Sequence, residues 1–276
     1  MEKSSQIAKA ENFAAMHRGD EVLILPNAWD VASARVLVDA GFQAIATTSG
    51  GCAFSLGYCD GEHIGRDGML EIVRRIANSV DVPVSADVEA GYGPTPEDVA
   101  ATIRGVIEAG AVGANIEDTD KLNPGNLVAF DLAVSRIRAA RKAADAAGVP
   151  VVINARVDGF HHGKGDDVFN DVIRRANAYL EVGADCAFVP FISDGALIGR
   201  VAAAIDGPMN VLAGADTPPV PELKKLGVRR VTVGSNFAKA ALTLVRKGAE
   251  ELLTSGTYEF SRGVFSQPEI HRILSD

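Results

Sequence analysis

Residues 108–118 read EAGAVGANIED, and the phrase recurs in outline as DAGFQAIATTS (39–49), EVGADCAFVP (181–190) and KLGVRRVTVGS (225–235). Each copy sets a glycine behind a helix-like run and a short β-branched or apolar run just beyond it. Glycine there suits the left-handed cap that ends a helix and turns the chain inward. Working outward from these copies, eight runs have strand character: VLILPNA at 22, AIATTS at 44, PVSADVE at 83, VGANIED at 112, VVINARVD at 151, CAFVP at 186, PMNVLA at 208 and RRVTVGS at 229. Between them lie stretches such as VASARVLVDA, MLEIVRRIANSV, PEDVAATIRGVIEA and VSRIRAARKAADAA, whose apolar residues recur every three or four positions as on a helix face. Eight strands alternating with eight helices predict an α/β fold, the (β/α)8 TIM barrel. An open doubly wound sheet is the alternative. It is disfavoured because no GxGxxG follows the first strand and polar residues gather at several strand ends.

The length of 276 residues lies within the range of one such barrel. No Gly/Ser-rich linker or charge block interrupts the chain, so one domain over residues 1–276 is expected, with a short, partly helical C-terminal tail from about residue 255. Apolar residues make up 47% and charged residues 23%, enough for a large core and no basis for disorder. A formal charge of -9 makes nucleic acid and anionic membrane surfaces poor partners, and an anionic substrate would need a local cation. The N-terminal MEKSSQIAKAENF lacks the apolar core of an export signal, and no run approaches the roughly 18 apolar residues of a membrane span. Cys52, Cys59 and Cys186 are odd in number and show no CxxC spacing. They read as reduced thiols in a soluble cytoplasmic protein.

Barrel chemistry concentrates at the C-terminal ends of the strands. The third run ends in Asp87 and Glu89, which strand alternation turns to the same side, into the barrel mouth. Two close carboxylates are costly unless a cation neutralises them. The fourth run ends in Glu117 and Asp118, with Glu117 sharing the inward parity of Asn115. Oxygen ligands alone on adjacent strands describe a Mg2+ site, or a Mn2+ site, that keeps several waters, whereas zinc favours nitrogen and sulfur. Taken singly, each acid could equally cap a helix or pair with a lysine. On the fifth run Asn154, Arg156 and Asp158 share one parity, so Arg156 can turn its planar fork toward a substrate carboxylate, toward Glu117, or toward both. After the second run, Ser49, Gly50 and Gly51 offer backbone donors unobstructed by large side chains, and Asp60 follows in the same loop. His161 and His162 read as surface-loop residues, Gly163 and Gly165 lack a phosphate-loop pattern, and Trp29 reads as core packing.

In these segments the chain resembles the isocitrate lyase and phosphoenolpyruvate mutase superfamily. PNAWDVASARVLVDAGFQAIATTSGG, SLGYCDG, PVSADVEAGYG, GANIED and INARVD follow the order and spacing of that family from about residue 24 to residue 235. The resemblance implies a (β/α)8 barrel that uses Mg2+ to hold a 2-oxo or 2-hydroxy acid and its enolate. It also implies a homo-oligomer, a dimer or a tetramer that swaps the eighth helix. By position, Asp87, Glu89 and Glu117 match the acids around the metal, Glu89 standing where many members have aspartate. Asp60 matches an acid near the metal, Ser49 and Gly50 match amides that hold the substrate carboxylate, and Arg156 matches the substrate-binding arginine. Catalytic roles are thereby implied for Arg156, Asp60 and Glu117.

The loop after the fourth run departs from the family. Isocitrate and methylisocitrate lyases carry a KKCGH-like motif there, but this chain reads DTDKLNPGNL, without cysteine or histidine. Lys121 and Asn123 do not reproduce the spacing of phosphonopyruvate-handling members either. The leading expectation is a Mg2+-dependent lyase that cleaves a carbon–carbon bond of a small 2-oxo or 2-hydroxy carboxylate, as in decarboxylation of an oxaloacetate-like acid. The alternatives are carbon–phosphorus chemistry on a phosphonopyruvate-like acid, by a mutase or a hydrolase, and a non-catalytic 2-oxo-acid-binding protein.

Overall fold

The computed structural model describes residues 3–275. All strand pairings of the main sheet are parallel, in the order β1-β9-β8-β7-β6-β5-β4-β3-β2. The strands are β1 (Leu23–Leu25), β2 (Asn27–Ala28), β3 (Ile45–Thr47), β4 (Val84–Asp87), β5 (Gly113–Glu117), β6 (Val152–Arg156), β7 (Cys186–Val189), β8 (Met209–Leu212) and β9 (Arg230–Thr232). The first expected strand is therefore two, divided at Pro26. Proline has no N–H to give the ladder, so Leu23–Leu25 pairs with β9 while Asn27–Ala28 pairs with β3. The Pro26 carbonyl still accepts from Ala46 N at 2.8 Å. The sheet thus closes on itself across one residue, and the expected barrel is present with eight staves.

Helices Val31–Asp39, Gly65–Ala77, Pro96–Glu108, Phe130–Ala147, Asp166–Glu181, Gly195–Ala204, Val220–Lys225 and Asn236–Thr254 follow the staves in turn. The four repeat glycines behave as expected: Gly41, Gly110, Gly183 and Gly227 all have φ between 94° and 112°, where a β-carbon would be strained. Beyond residue 255 a 3-10 turn and helix Gln267–Leu274 follow, and Ile273 is buried as that helix packs back on Val31–Asp39.

A helix at Lys3–Met16, not expected from the sequence, closes the N-terminal end of the barrel. Gln6 Nε2 donates to the Ile107 and Ala111 carbonyls at 2.8 and 3.1 Å. The Phe13 ring lies so close to β5 that a β-carbon on Gly113 would meet its Cε1 at 2.7 Å. Above Phe13 the barrel interior is polar. Arg230 is fully buried and reaches Asn115 Oδ1 with Nη2 at 3.3 Å, and Asn154 Nδ2 donates to the same oxygen at 2.6 Å.

His17 completes this layer. Its Nδ1 lies 2.8 Å from the Phe13 carbonyl, which can only accept, so Nε2 is the acceptor facing Arg230 Nη1 at 3.3 Å. Burial, then the Arg230 charge, pushes the imidazole pKa down to about 3. Between that value and the ordinary 6.5 the unfolded chain binds the proton and the folded chain does not, so stability from this residue is complete above pH 6.5 and is lost as pH falls. From pH 7 to pH 5 the loss is about 2 kcal/mol. Urea unfolding of the wild type is expected to show this acid-side loss and His17→Gln to lack it; parallel losses in the two proteins would contradict the assignment.

Candidate active site

The C-terminal mouth of the barrel is assembled from the bottom of each loop upward. Asn27 Nδ2 donates to the Thr47 carbonyl at 2.8 Å, and Asp87 N donates to Thr47 Oγ1 at 2.8 Å, which ties β2, β3 and β4 together. Thr48 then caps a short helix, Ser49–Ser55, that replaces the open loop expected there. Ser49 N donates to Asp87 Oδ2 at 2.9 Å. The amide read as a donor to a substrate carboxylate is thus engaged by Asp87 in this structure. Gly50 is required by close approach, since a β-carbon there would lie 2.7 Å from Ser235 Oγ and 3.1 Å from Asp60 Oδ2. The same contact brings Asp60 to the mouth beside the Ser49–Gly50 turn.

Asp87 ends β4 and faces the mouth as strand alternation predicts. Glu89 reaches the site by another route. It lies beyond the strand with φ at 50°, so a left-handed turn rather than alternation aims its carboxylate. Its Oε1 accepts from Glu62 N at 2.8 Å, and its Oε2 meets Lys121 Nζ at 3.0 Å. Glu62, with φ at 66°, in turn accepts from Tyr92 N at 2.8 Å, and Tyr92 has φ at 58°. Three non-glycine residues in this sparsely populated region lock the two acidic turns together.

From Glu89 a chain of alternating charge crosses the mouth. Lys121 Nζ reaches Glu117 Oε1 at 2.6 Å, Glu117 Oε2 meets Arg156 Nη1 at 2.9 Å, and Arg156 Nε meets Asp158 Oδ1 at 2.6 Å. Glu117 and Arg156 are register partners on β5 and β6, which fixes their separation. The fork edge of Arg156 at Nη2 has no partner among the described residues. Phe188 and Phe191 flank the guanidinium, their ring centroids 5.8 and 5.6 Å from Cζ.

These neighbours set the charges. Burial works against ionisation of Glu117, yet Arg156 and Lys121 hold its pKa below the usual value. Burial likewise opposes charge on Lys121 and Arg156, but the acids beside them keep both firmly protonated. Glu89 is pushed up to about 7, chiefly by burial and against the pull of Lys121. Asp87 is also raised, first by burial, with the Asp60 and Glu117 charges adding and Arg156 and the Ser49 N–H opposing.

Asp60, Asp87, Glu89, Glu117 and Asp158 are therefore five carboxylates set against the Lys121 and Arg156 cations, a surplus that a divalent ion would reduce. Among the described residues no three acids close on one point as a complete ligand shell. The donor set still fits Mg2+, which is commonly held by one or two carboxylates and keeps its remaining waters. Asp118, read beside Glu117 in the sequence, faces the helical layer instead. Tyr179 Oη donates to it at 2.8 Å and Arg175 pairs with it at 3.3 Å, and burial raises its pKa to about 6.

The other residues singled out from the sequence stand apart from the charged chain. His161 and His162 are exposed at the end of a one-turn helix, Gly159–His162, and Trp29 packs against the core. Cys52 and Cys186 are buried free thiols and Cys59 is an exposed one. Sequence reading underrated Lys121 and missed Glu62, Tyr92 and Phe191. All four lie in turns or loops, where periodicity carries no directional signal; the one available hint was a lysine four residues after Glu117.

Residues 13–253 match the family model described as phosphoenolpyruvate phosphomutase. A solved lyase/mutase candidate from Burkholderia cenocepacia J2315 shares 40% identity and superposes with a TM-score of 0.93 over 99% of this chain and 98% of its own. The 2,3-dimethylmalate lyase structure, a PEP mutase/isocitrate lyase superfamily member, gives 0.83 at 28% identity, over 97% of this chain and 95% of that one. The 2-methylisocitrate lyase of Escherichia coli (strain K12) is 34% identical over 190 residues, which is 65% of this chain and 62% of the relative.

Proposed function

The chain belongs to the phosphoenolpyruvate phosphomutase family, within the isocitrate lyase/PEP mutase superfamily, and from that premise we propose that it is a Mg2+-dependent lyase that cleaves a carbon–carbon bond of a small 2-oxo or 2-hydroxy carboxylate. The observation that carries this reading is the surplus of mouth carboxylates beside an arginine with an open fork edge. Relatives of this chain are lyases and mutases by name.

Asp87 would hold the metal directly, with Asp60, Glu89 and Glu117 reaching it through its waters. When bound, Mg2+, or Mn2+ in its place, supplies a Lewis acid beside the oxo oxygen. Arg156 receives the substrate carboxylate on its open edge, and the aromatic rings beside it exclude water and strengthen that contact. Gly50, with Ser49, forms the opposite wall, close enough for backbone approach. Lys121 screens Glu89 from Glu117 and keeps its own proton. In a 2-oxo acid that loses carbon dioxide, the electron pair of the broken bond stays on the oxo-acid fragment as an enolate, which takes a proton from water at carbon. In a 2-hydroxy acid the hydroxyl gives up its proton as the oxo group forms, and the electron pair stays on the other fragment, which takes the proton. Decarboxylation of an oxaloacetate-like acid is the simplest case, because carbon dioxide leaves without needing a proton.

Carbon–phosphorus chemistry on phosphonopyruvate is the second reading, favoured by the identity of the matching family model. Product NMR on a panel of 2-oxo acids, 2-hydroxy acids and phosphonopyruvate, with Mg2+ or with chelator, separates the two. Mg2+-dependent consumption of a carbon acid is expected. Conversion of phosphonopyruvate alone would select the second reading, and binding without consumption would leave an oxo-acid-binding protein.

The proposal extends to a homo-oligomer built through the last barrel helix. Helix Asn236–Thr254 leaves Leu242, Val245 and Leu253 exposed, Leu253 at 87%, a concentration of apolar surface typical of an interface. Light scattering is expected to give a dimeric or tetrameric multiple of 28.9 kDa; a monomer would remove this part. A cytoplasmic setting belongs to the same proposal, on the acidic composition and three free thiols. No described helix is long and apolar enough to cross a membrane.

A further inference from the structure

The β6 and β7 side of the mouth differs in chemistry from the acidic side. β7 ends at Val189, and after Pro190 the chain places Phe191 with φ at 64° and 45% of its surface exposed. A bulky residue in the left-handed region is uncommon and persists only where surrounding contacts hold it. Two such contacts are present: His161 stacks on the ring at 4.4 Å between centroids, and the Arg156 guanidinium lies 5.6 Å from its centre. Phe191 also lines a cavity of about 300 Å³ whose walls include Phe160, Phe169, Ile192 and Leu197. The volume is that of roughly ten waters and falls at the lower end for ligand pockets. Lys164, Asp166 and Arg200 also line it, with the Arg200 guanidinium 4.7 Å from the centre of the Phe169 ring.

Resting on the oxo-acid reading above, we infer that this protein selects substrates with an apolar substituent on the end remote from the carboxylate held by Arg156, and that the substituent lodges beside Phe191 in this cavity. Arg156 joins the two regions, since one edge of its fork is open to a carboxylate while its face meets the Phe191 ring. In the cavity an apolar group is better placed than a second anionic one, because Arg200 is paired with Asp166 at 3.9 Å and Asp194 also lines the wall. Phe191 acts as a specificity residue and takes no part in bond breaking.

Calorimetric titration in Mg2+ with pyruvate, 2-oxobutyrate, 2-oxopentanoate and 2-oxohexanoate tests this. Each added methylene buried in the cavity is expected to tighten Kd about fourfold. Leu197→Gln, which alters the cavity away from Arg156, is expected to flatten that series and leave the pyruvate affinity unchanged. Phe191→Ala supplies a second variant with the same expected flattening, should the first fail to fold. Affinity that stays level or falls with chain length in the wild type overturns the inference and leaves the oxo-acid reading standing. A series that steepens as expected but is unaltered in both variants overturns the placement in this cavity. Failure of all four acids to bind, and of oxaloacetate titrated beside them as a control, overturns both.

Discussion

Asp87→Asn is expected to lower Mg2+-dependent turnover about a thousandfold, the equivalent of about 4 kcal/mol of transition-state stabilisation. Asparagine keeps an oxygen to accept the Ser49 N–H and nearly the same shape, so the change isolates the charge. In the wild type that charge is buried near Asp60 and Glu117 and is disfavoured by both. Neutralising it should leave the melting temperature unchanged or raise it, the usual relation where a site is arranged for activity at the expense of stability. Wild-type turnover in a folded Asp87→Asn protein would remove Asp87 from the reaction.

The second large effect is expected at Arg156. Arg156→Lys keeps one positive charge but cannot meet Glu117, Asp158 and a substrate carboxylate through one planar fork. Loss of the substrate contact and of the preorganised geometry should lower kcat/KM by about a hundredfold or more, with much of the change in KM because the carboxylate is held in ground and transition states alike. Saturation kinetics would check the split. An unchanged KM with kcat alone reduced would place Arg156 at the reacting bond rather than on the carboxylate.

The barrel was legible because its staves are short β-branched or apolar runs, four of them following a glycine-capped helix, and Gly41, Gly110, Gly183 and Gly227 adopt the left-handed geometry that this pattern demands. The division at Pro26 changes the count of strands without changing the staves. Helix Lys3–Met16 escaped notice because it buries only Gln6, Ala10 and Phe13, a stripe too narrow to give a clear apolar period. The same contrast runs through the site. Asp87, Glu117 and Arg156 end strands, where side-chain direction follows from position. Glu89, Lys121 and Phe191 lie past strand ends, and two of them depend on positive φ values that only the folded loop reveals.

Surplus carboxylate and Arg156 share one mouth, where the proposed lyase would take up its metal and its oxo acid together. Oxalate, planar and doubly charged like the enolate of a 2-oxo acid, is the most direct probe of that arrangement. Titration calorimetry should show oxalate binding in Mg2+ and none with chelator, with the Mg2+-dependent binding lost in Asp87→Asn. Oxalate that binds equally well with chelator, or not at all in Mg2+, would contradict the account.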